Sequence, residues 1–455
     1  MSISSIVQSQ KNYFHSNATK DLAFRKKNLL MLYEAIEEHE DAILDALNKD
    51  LGKSKQEAFL TEVGTVKKAL SNAIKNLHKW AKPKRHKSPL HLFGTSSYSM
   101  KEPYGVVLIL SPWNFPFFLS ISPLIGALAA GNCAIVKTSR HAPHTGAVID
   151  MIINGTFSSK YVSAISDDYS YDEILSCTYD YIFFTGSERV GRIVMRSASE
   201  TLTPVTLELG GKNPCIIHES ADLKDAAKKI AWAKMINAGQ CCVAPDYVVI
   251  PDHMKEEFVE LVKQYFKEFV PHPLDNPDYP RIINLHHFMR LRNLITKEKS
   301  VRGGKSDDKT FKIAPAIFHK ATFDSPIMKD EIFGPILAVI GYDDFDVVLD
   351  TIKRRPKPLA CYVFSKNNSV SNRILEELSF GGGCVNDIIM HVSNDNLPFG
   401  GVGTSGMGNY HGKYSFDTFS HEKGILIRKS NLTDNPLRYP PFKDDNLKKL
   451  RMTLK

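Results

Sequence analysis

Apolar side chains at Leu29, Leu32, Tyr33, Ile36, Ile43 and Leu47 recur at steps of three and four among Lys and Glu, the spacing of one face of an α-helix. Residues 21–51 therefore read as an amphipathic helix or a pair of them. Leu70, Ile74 and Leu77 mark a second helical stretch over residues 57–80, which stops before Pro83. From residue 103 the pattern changes. Residues 106–110 are continuously apolar and read as a buried strand, residues 117–130 as a helix ended by Gly131, and residues 134–136 as the next strand. Further strands are predicted at 161–165 and 181–185, with a helix over 187–199. After Glu208 a second series begins, with strands at 214–217, 247–250, 336–340 and 360–365 and helices over 223–236 and 253–269. Strand followed by helix, repeated, demands parallel sheets with right-handed crossovers, so the chain reads as α/β with two parallel-sheet domains.

One stretch imitates a membrane span. Residues 103–136 carry no charge, a length sufficient to cross a bilayer. Pro112, Pro116 and Pro123, with Gly105 and Asn114, cut it into strand, turn and helix. No integral membrane segment is expected. Composition agrees with a globular chain: 43% hydrophobic and 24% charged over 455 residues, room for about three domains. The net charge of +8 is spread along the chain; without a basic stripe interleaved with aromatics it predicts no nucleic-acid partner. Seven cysteines, single except for Cys241-Cys242, form no metal-type pair and no disulfide framework, which places the chain in a reducing cytoplasm. Residues 1–11 are polar and lack the apolar core of a signal peptide.

Candidate chemistry concentrates between Glu208-Leu209-Gly210-Gly211-Lys212 and Gly239-Gln240-Cys241-Cys242. A thiol and a carboxylate converging in a cleft can run acyl chemistry, the sulfur as nucleophile and the acid as the base for a water. A lone cysteine is more often a small buried hydrophobe, and a lone glutamate is usually solvated. The surroundings tip the balance: Ser111-Pro112-Trp113-Asn114-Phe115-Pro116, Phe184-Thr185-Gly186-Ser187, Glu331-Ile332-Phe333-Gly334-Pro335 and Leu397-Pro398-Phe399-Gly400-Gly401 follow in order. In that order and spacing the chain resembles the aldehyde dehydrogenases, and within them the class 3 type that oxidises fatty and aromatic aldehydes.

The resemblance implies an aldehyde dehydrogenase-like fold. A Rossmann-like dinucleotide-binding domain would take residues 1–82 and 103–207, and a catalytic domain residues 208–408. A small β oligomerisation arm would take residues 83–102 and 409–435, implying a homodimer, with a basic tail over 436–455. It further implies Cys242 as nucleophile, since the family's Gly-Gln-Thr-Cys pattern leaves Cys241 in the place of a Thr. Glu208 would be the general base, and Asn114 with the Cys242 N–H would hold the oxyanion.

The cofactor would be NAD or NADP. Gly401, Gly403 and Gly406 match the Gly-x-Gly-x-x-Gly fingerprint, yet no strand precedes them and Gly408 and Gly412 follow where a helix should start. They read as a turn in which backbones pack closely. The better phosphate cradle is Gly186, Ser187, Val190 and Gly191, which follow a strand and open a helix. By resemblance Lys137 binds the adenosine ribose and Glu331 and Phe333 the nicotinamide ribose, with Trp113 near the nicotinamide and Leu209 among the cofactor-binding residues. Arg140 replaces an acid that would pair with the ribose 2′-hydroxyl, which either favours a 2′-phosphate or leaves a side chain in solvent. Asp167 and Asp168, where relatives have glycines, push the other way.

Three further readings stay open. One is a catalytically silent fold kept for binding, and another is reduction of activated acyl groups by the same thioester. The third is reversible silencing by oxidation of Cys241 with Cys242. The substrate is a small-molecule aldehyde, medium- or long-chain aliphatic, aromatic or apocarotenoid by resemblance. Phe117, Phe118, Tyr410 and Phe416 would line an apolar tunnel or belong to the core.

Overall fold

The uncharged run becomes the centre of a six-stranded sheet. The computed structural model describes residues 2–165, 169–297, 301–429 and 436–453. Its first sheet has the order Gly406–Met407, Val205–Glu208, Tyr181–Thr185, Val106–Leu110, Cys133–Lys137, Val162–Ile165. All neighbours are parallel except Gly406–Met407, which pairs antiparallel with Val205–Glu208. Every residue of Val106–Leu110 is buried, and so is every residue of helix Phe118–Ala130. A strand covered on both faces has no reason to alternate, which is why this stretch reads as uniformly apolar. Gly131 closes the helix at φ 97, a conformation that suits glycine. Among the described residues no helix is long and apolar enough to cross a membrane.

The chain steps outward from Val106–Leu110 through Cys133–Lys137 to Val162–Ile165, then returns to the opposite side at Tyr181–Thr185. That reversal opens a crevice beyond the carboxyl ends of the central strands, where open α/β sheets bind ligands.

The second sheet has the order Val301–Gly303, Ala316–Phe318, Ile336–Tyr342, Tyr247–Pro251, Pro214–Ile217, Ala360–Phe364, Gly382–Val385. Only Val301–Gly303 runs antiparallel to its neighbour. Thr95–Pro103 lies between Lys84–His86 and Ser420–Arg428 in a separate antiparallel sheet. Gly406–Met407, inside the stretch read as the second domain, is an edge of the first sheet.

Several local readings change. The polar-looking N-terminus forms helix Ile3–His15: Ile3, Ile6, Val7 and Gln10 share one buried face, and the Gln10 amide donates to the carbonyls of Ala134 and Ser159. Residues 21–51 are a pair of helices, Leu22–Glu38 and Glu40–Leu51. The stretch read as one helix over 57–80 is Lys55–Ala58, a π-turn at Phe59–Val63, and Gly64–Ala81. The tail, read only as basic, carries helix Asp444–Thr453. Phe117, Phe118, Tyr410 and Phe416 are all buried in the core.

Candidate active site

Strand register alone assembles half of the site. Leu110 pairs with Lys137 on one side and Phe184 on the other, and Thr185 pairs with Glu208. Ser111-Pro112-Trp113-Asn114, Lys137, Gly186 and Glu208-Leu209 therefore leave the sheet along one edge, at the crevice described above. The other half comes from segments that enter the second sheet: Cys242 precedes strand Tyr247–Pro251, and Glu331 and Phe333 precede Ile336–Tyr342.

The loop that carries Cys242 is a tight turn at residues 236–244. Asn237 and Ala238 both have φ 49 and Gly239 has φ 72, left-handed geometry that non-glycine residues adopt only when surroundings enforce it. A Cβ on Gly239 would lie 2.2 Å from the carbonyl oxygen of Gly334, so glycine is what lets this loop touch the Glu331 loop. Side chains fix the rest. Asn213 Nδ2 donates to the carbonyls of Cys242 (2.7 Å) and Ala244 (2.9 Å), and Tyr362 Oη donates to that of Val243 (2.6 Å). Gln240 donates to the Arg281 carbonyl and accepts from Ile283 N–H, each at 3.0 Å. Glu57 Oε1 accepts from Asn237 N–H at 2.6 Å. Asn114 Nδ2 donates to the Gln240 carbonyl at 3.2 Å, which puts its amide beside the Cys242 loop. Cys241 is buried whereas Cys242 is half-buried; both are free thiols.

Glu208 is the most unusual side chain in the cleft. It is buried, and among the described residues neither carboxylate oxygen has a hydrogen-bond partner. Burial pushes its carboxyl well above the ordinary range, because a charge removed from water without a partner is disfavoured. Glu331 is pushed up to about 8, first by burial and then by Asp246. The Cys242 thiol is also pushed up, first by its hydrogen bond to Cys241, then by burial and the carboxylates of Glu331 and Glu208.

The residues around the crevice fit a dinucleotide. Helix Glu188–Ser199 begins at Ser187 with no side-chain cap on its first N–H groups, leaving them for a phosphate. A Cβ on Gly186 would meet the Phe184 ring at 2.6 Å, and one on Gly191 would meet Leu209 at 2.9 Å, so these glycines keep the cradle shallow. Val190 is half-buried on the same turn. Lys137 is buried, its ammonium 2.8 Å from the Thr138 carbonyl. Trp113 meets Phe333 edge to face at 5.4 Å. Arg140 is exposed and has no ion pair or hydrogen bond among the described residues. Asp167 and Asp168 lie outside the described residues.

Gly401 and Gly406 behave as a packing turn. A Cβ on either would lie 2.0 Å from a backbone oxygen, of Ser405 and Leu207 respectively. Several contributors escape sequence reasoning. Asn213, Asn237, Gln240 and Tyr362 hold the thiol loop. Lys212, paired with Asp246, donates to the carbonyls of Ile327 and Asp330, and Arg290 donates to that of Ile332 at 2.6 Å, so both brace the Glu331 loop. Lys212 lies within the Glu208 motif and Gln240 within the Gly239-Gln240-Cys241-Cys242 motif; the others have no pattern that marks them before folding.

The aldehyde dehydrogenase family profile matches residues 1–425. The 4,4′-diaponeurosporen-aldehyde dehydrogenase of Staphylococcus aureus is 46% identical over 437 residues, covering 95% of each chain. Aldehyde dehydrogenase family 3 member B1 of Bos taurus is 41% identical over 451 residues, 98% of this chain and 96% of that one. The substrate-bound structure of Staphylococcus aureus AldH superposes with a TM-score of 0.96 at 45% identity, covering 100% of this chain and 99% of that chain. Solved structures of the same fold include NAD+ complexes. The chain belongs to the aldehyde dehydrogenase family, with class 3 members among its relatives, and is an oxidoreductase acting on aldehydes.

Proposed function

We propose that the protein oxidises a medium- or long-chain aliphatic, aromatic or apocarotenoid aldehyde to its acid through a thioester on Cys242, using NAD or NADP. The observation that carries this reading is Glu208: a buried carboxylate at a strand end, with both oxygens unpartnered among the described residues and near enough to the half-buried Cys242 thiol to act on its charge. A side chain so costly to bury serves a purpose when a substrate or water meets it.

The Cys242 sulfur adds to the aldehyde carbon, and the Asn114 amide with the Cys242 N–H holds the resulting oxyanion. One donor of this kind is worth about 10²–10³ in rate. When bound, an oxidised nicotinamide would supply a positive ring that favours the thiolate and a hydride acceptor. Glu208 then takes a proton from the water that attacks the thioester, and Cys242 leaves as the thiolate. A carboxylate with a raised affinity for protons is the better base. Lys137, Glu331, Phe333, Trp113, Leu209, Gly186, Ser187, Val190 and Gly191 would hold the dinucleotide. Exposed Arg140 supports a 2′-phosphate contact and hence NADP. The Staphylococcus aureus relative is named for an apocarotenoid aldehyde, which favours a long apolar substrate here.

A homodimer in the cytoplasm fits the arm. Ser420–Arg428 is a nine-residue edge strand with Leu426 and Ile427 exposed, the kind of edge that pairs with a second copy.

The test is initial rate with decanal, with NAD and NADP in parallel, for the native chain and Cys242→Ala. Thiol-dependent turnover supports the reading. No turnover with either cofactor moves weight to a silent binding protein.

A further inference from the structure

A buried ion pair lies directly behind Asn114. Lys53 follows Gly52, whose φ of 71 ends helix Glu40–Leu51. Its ammonium sits 2.6 Å from Glu62 Oε1, and both side chains are 0% exposed. Glu62 is carried on the π-turn Phe59–Val63. Such turns cost regular helical geometry and occur mostly at functional positions.

Desolvating two charges costs about as much as their attraction returns, so a buried pair is weak evidence of stabilisation. Its contacts point elsewhere. Glu62 Oε2 accepts from the N–H groups of Phe117 (2.9 Å) and Phe118 (3.1 Å). Lys53 Nζ reaches the Asn114 carbonyl at 3.4 Å and lies 4.1 Å from the centre of the Phe115 ring. The pair therefore grips the whole turn that follows strand Val106–Leu110. From the opposite side Asn237 Nδ2 donates to the same Asn114 carbonyl at 2.6 Å, while the Asn114 amide reaches the Gln240 carbonyl. Asn114 is clamped through its backbone, leaving its side chain directed at the Cys242 loop. Being wholly buried, neither Lys53 nor Glu62 is open to substrate.

We propose that Lys53 and Glu62 are positioning residues that hold the Asn114 amide in register with the Cys242 loop, acting on oxyanion stabilisation through Asn114 alone. The proposal rests on the reading of Asn114 as the oxyanion donor.

Glu62→Gln keeps an acceptor for the Phe117 and Phe118 N–H groups and removes the carboxylate directly paired with Lys53, leaving Glu57 as the nearby charge. The experiment is a double-mutant cycle on single-turnover NAD(P)H formation with Glu62→Gln, Asn114→Ala and the two combined, each rate taken per folded enzyme. Asn114→Ala is expected to slow the step by about 10²–10³. Glu62→Gln alone should slow it at least about tenfold, as small misplacements at a reacting centre do. Added to Asn114→Ala it should cost less than about twofold, since residues acting as one unit are not additive. If Glu62→Gln does not fold, the neutral pair Lys53→Met with Glu62→Gln runs the same cycle with the same expectation.

Equal fold losses in both backgrounds would overturn the proposal alone. So would a Glu62→Gln enzyme that melts earlier yet reacts at the native rate. An Asn114→Ala enzyme at the native rate would instead sink the oxyanion reading, and the proposal with it.

Discussion

The two sheets meet at one cleft but build their halves differently. The first sheet delivers Glu208 and the approach to Asn114 from the carboxyl ends of its strands, where the hydrogen-bonded ladder itself sets position. The second delivers Cys242, Glu331 and Phe333 on segments that enter its strands, where no ladder reaches. There the backbone turns left-handed at Asn237, Ala238, Gly239 and Phe333, and side-chain hydrogen bonds from Asn213, Asn237, Gln240 and Tyr362 take the ladder's place. A strand end positions a residue through its neighbours' backbones. A loop needs side chains dedicated to the task.

The largest effect should fall on the loop side. Cys242→Ala is expected to lower kcat by more than about 10⁴-fold, the scale of losing a group that works as a unit with its base. Cys241→Ala, which leaves the half-buried thiol in place, should keep activity within about tenfold on the scale of ordinary changes beside a reacting group. Equal losses would erase the distinction between the two sulfurs.

On the strand side, Glu208→Gln should slow steady-state turnover by about 10²–10⁴-fold, the usual range for a general base. It should spare the first turnover. In the native enzyme, deacylation should rise with pH beyond the ordinary carboxylate range, because burial raises the Glu208 pKa; the Gln variant should lose that limb. Stability should move the opposite way. A carboxyl whose folded pKa lies above its unfolded 4.5 destabilises the fold as pH rises past that value, since the folded state then binds more protons. Glu208→Gln should therefore melt higher than the native chain at pH 8, and the difference should shrink toward pH 4.5. Thermal melts at several pH values check this.

Gly239→Ala sharpens the contrast through the backbone. With φ 72 and the Gly334 oxygen 2.2 Å from the new Cβ, it should destabilise by about 1–3 kcal/mol and reduce the reactive thiol, measured by alkylation of Cys242. An equivalent change on the first sheet's edge, where the strand holds position, should leave alkylation alone. The smallest effect belongs to Arg140→Glu, expected to shift the NADP over NAD ratio of kcat/KM by about fivefold, one exposed ion pair's worth, with little change in total activity. An unchanged ratio would return Arg140 to solvent.

The same contrast explains what was legible beforehand. Strands 106–110 and 181–185, helix 117–130 and the cradle at Gly186 follow from patterns of two to five residues, because the ladder turns sequence neighbours into spatial ones. The candidate thiol and base stand out because Glu208-Leu209-Gly210-Gly211 and Gly239-Gln240-Cys241-Cys242 are short motifs. The supports do not. Glu62 looks like a surface charge in an amphipathic helix and Lys53 like a charge in the short link before it, and only the π-turn carries Glu62 inward. Asn213 and Tyr362 lie 29 and 119 residues from the carbonyls they hold, a distance no local pattern encodes. Helix Ile3–His15 was hidden for a related reason: its buried face ends in Gln10, a polar residue whose partners are carbonyls 124 and 149 residues away.

The measurement that bears most directly on the central claim is the fate of sulfur in Glu208→Gln mixed with a long-chain aldehyde and oxidised cofactor. A burst of one NAD(P)H per subunit, with the acyl mass accumulating on the peptide that carries Cys242, is the predicted result. Turnover at the native rate, or an acyl group on Cys241, would contradict it.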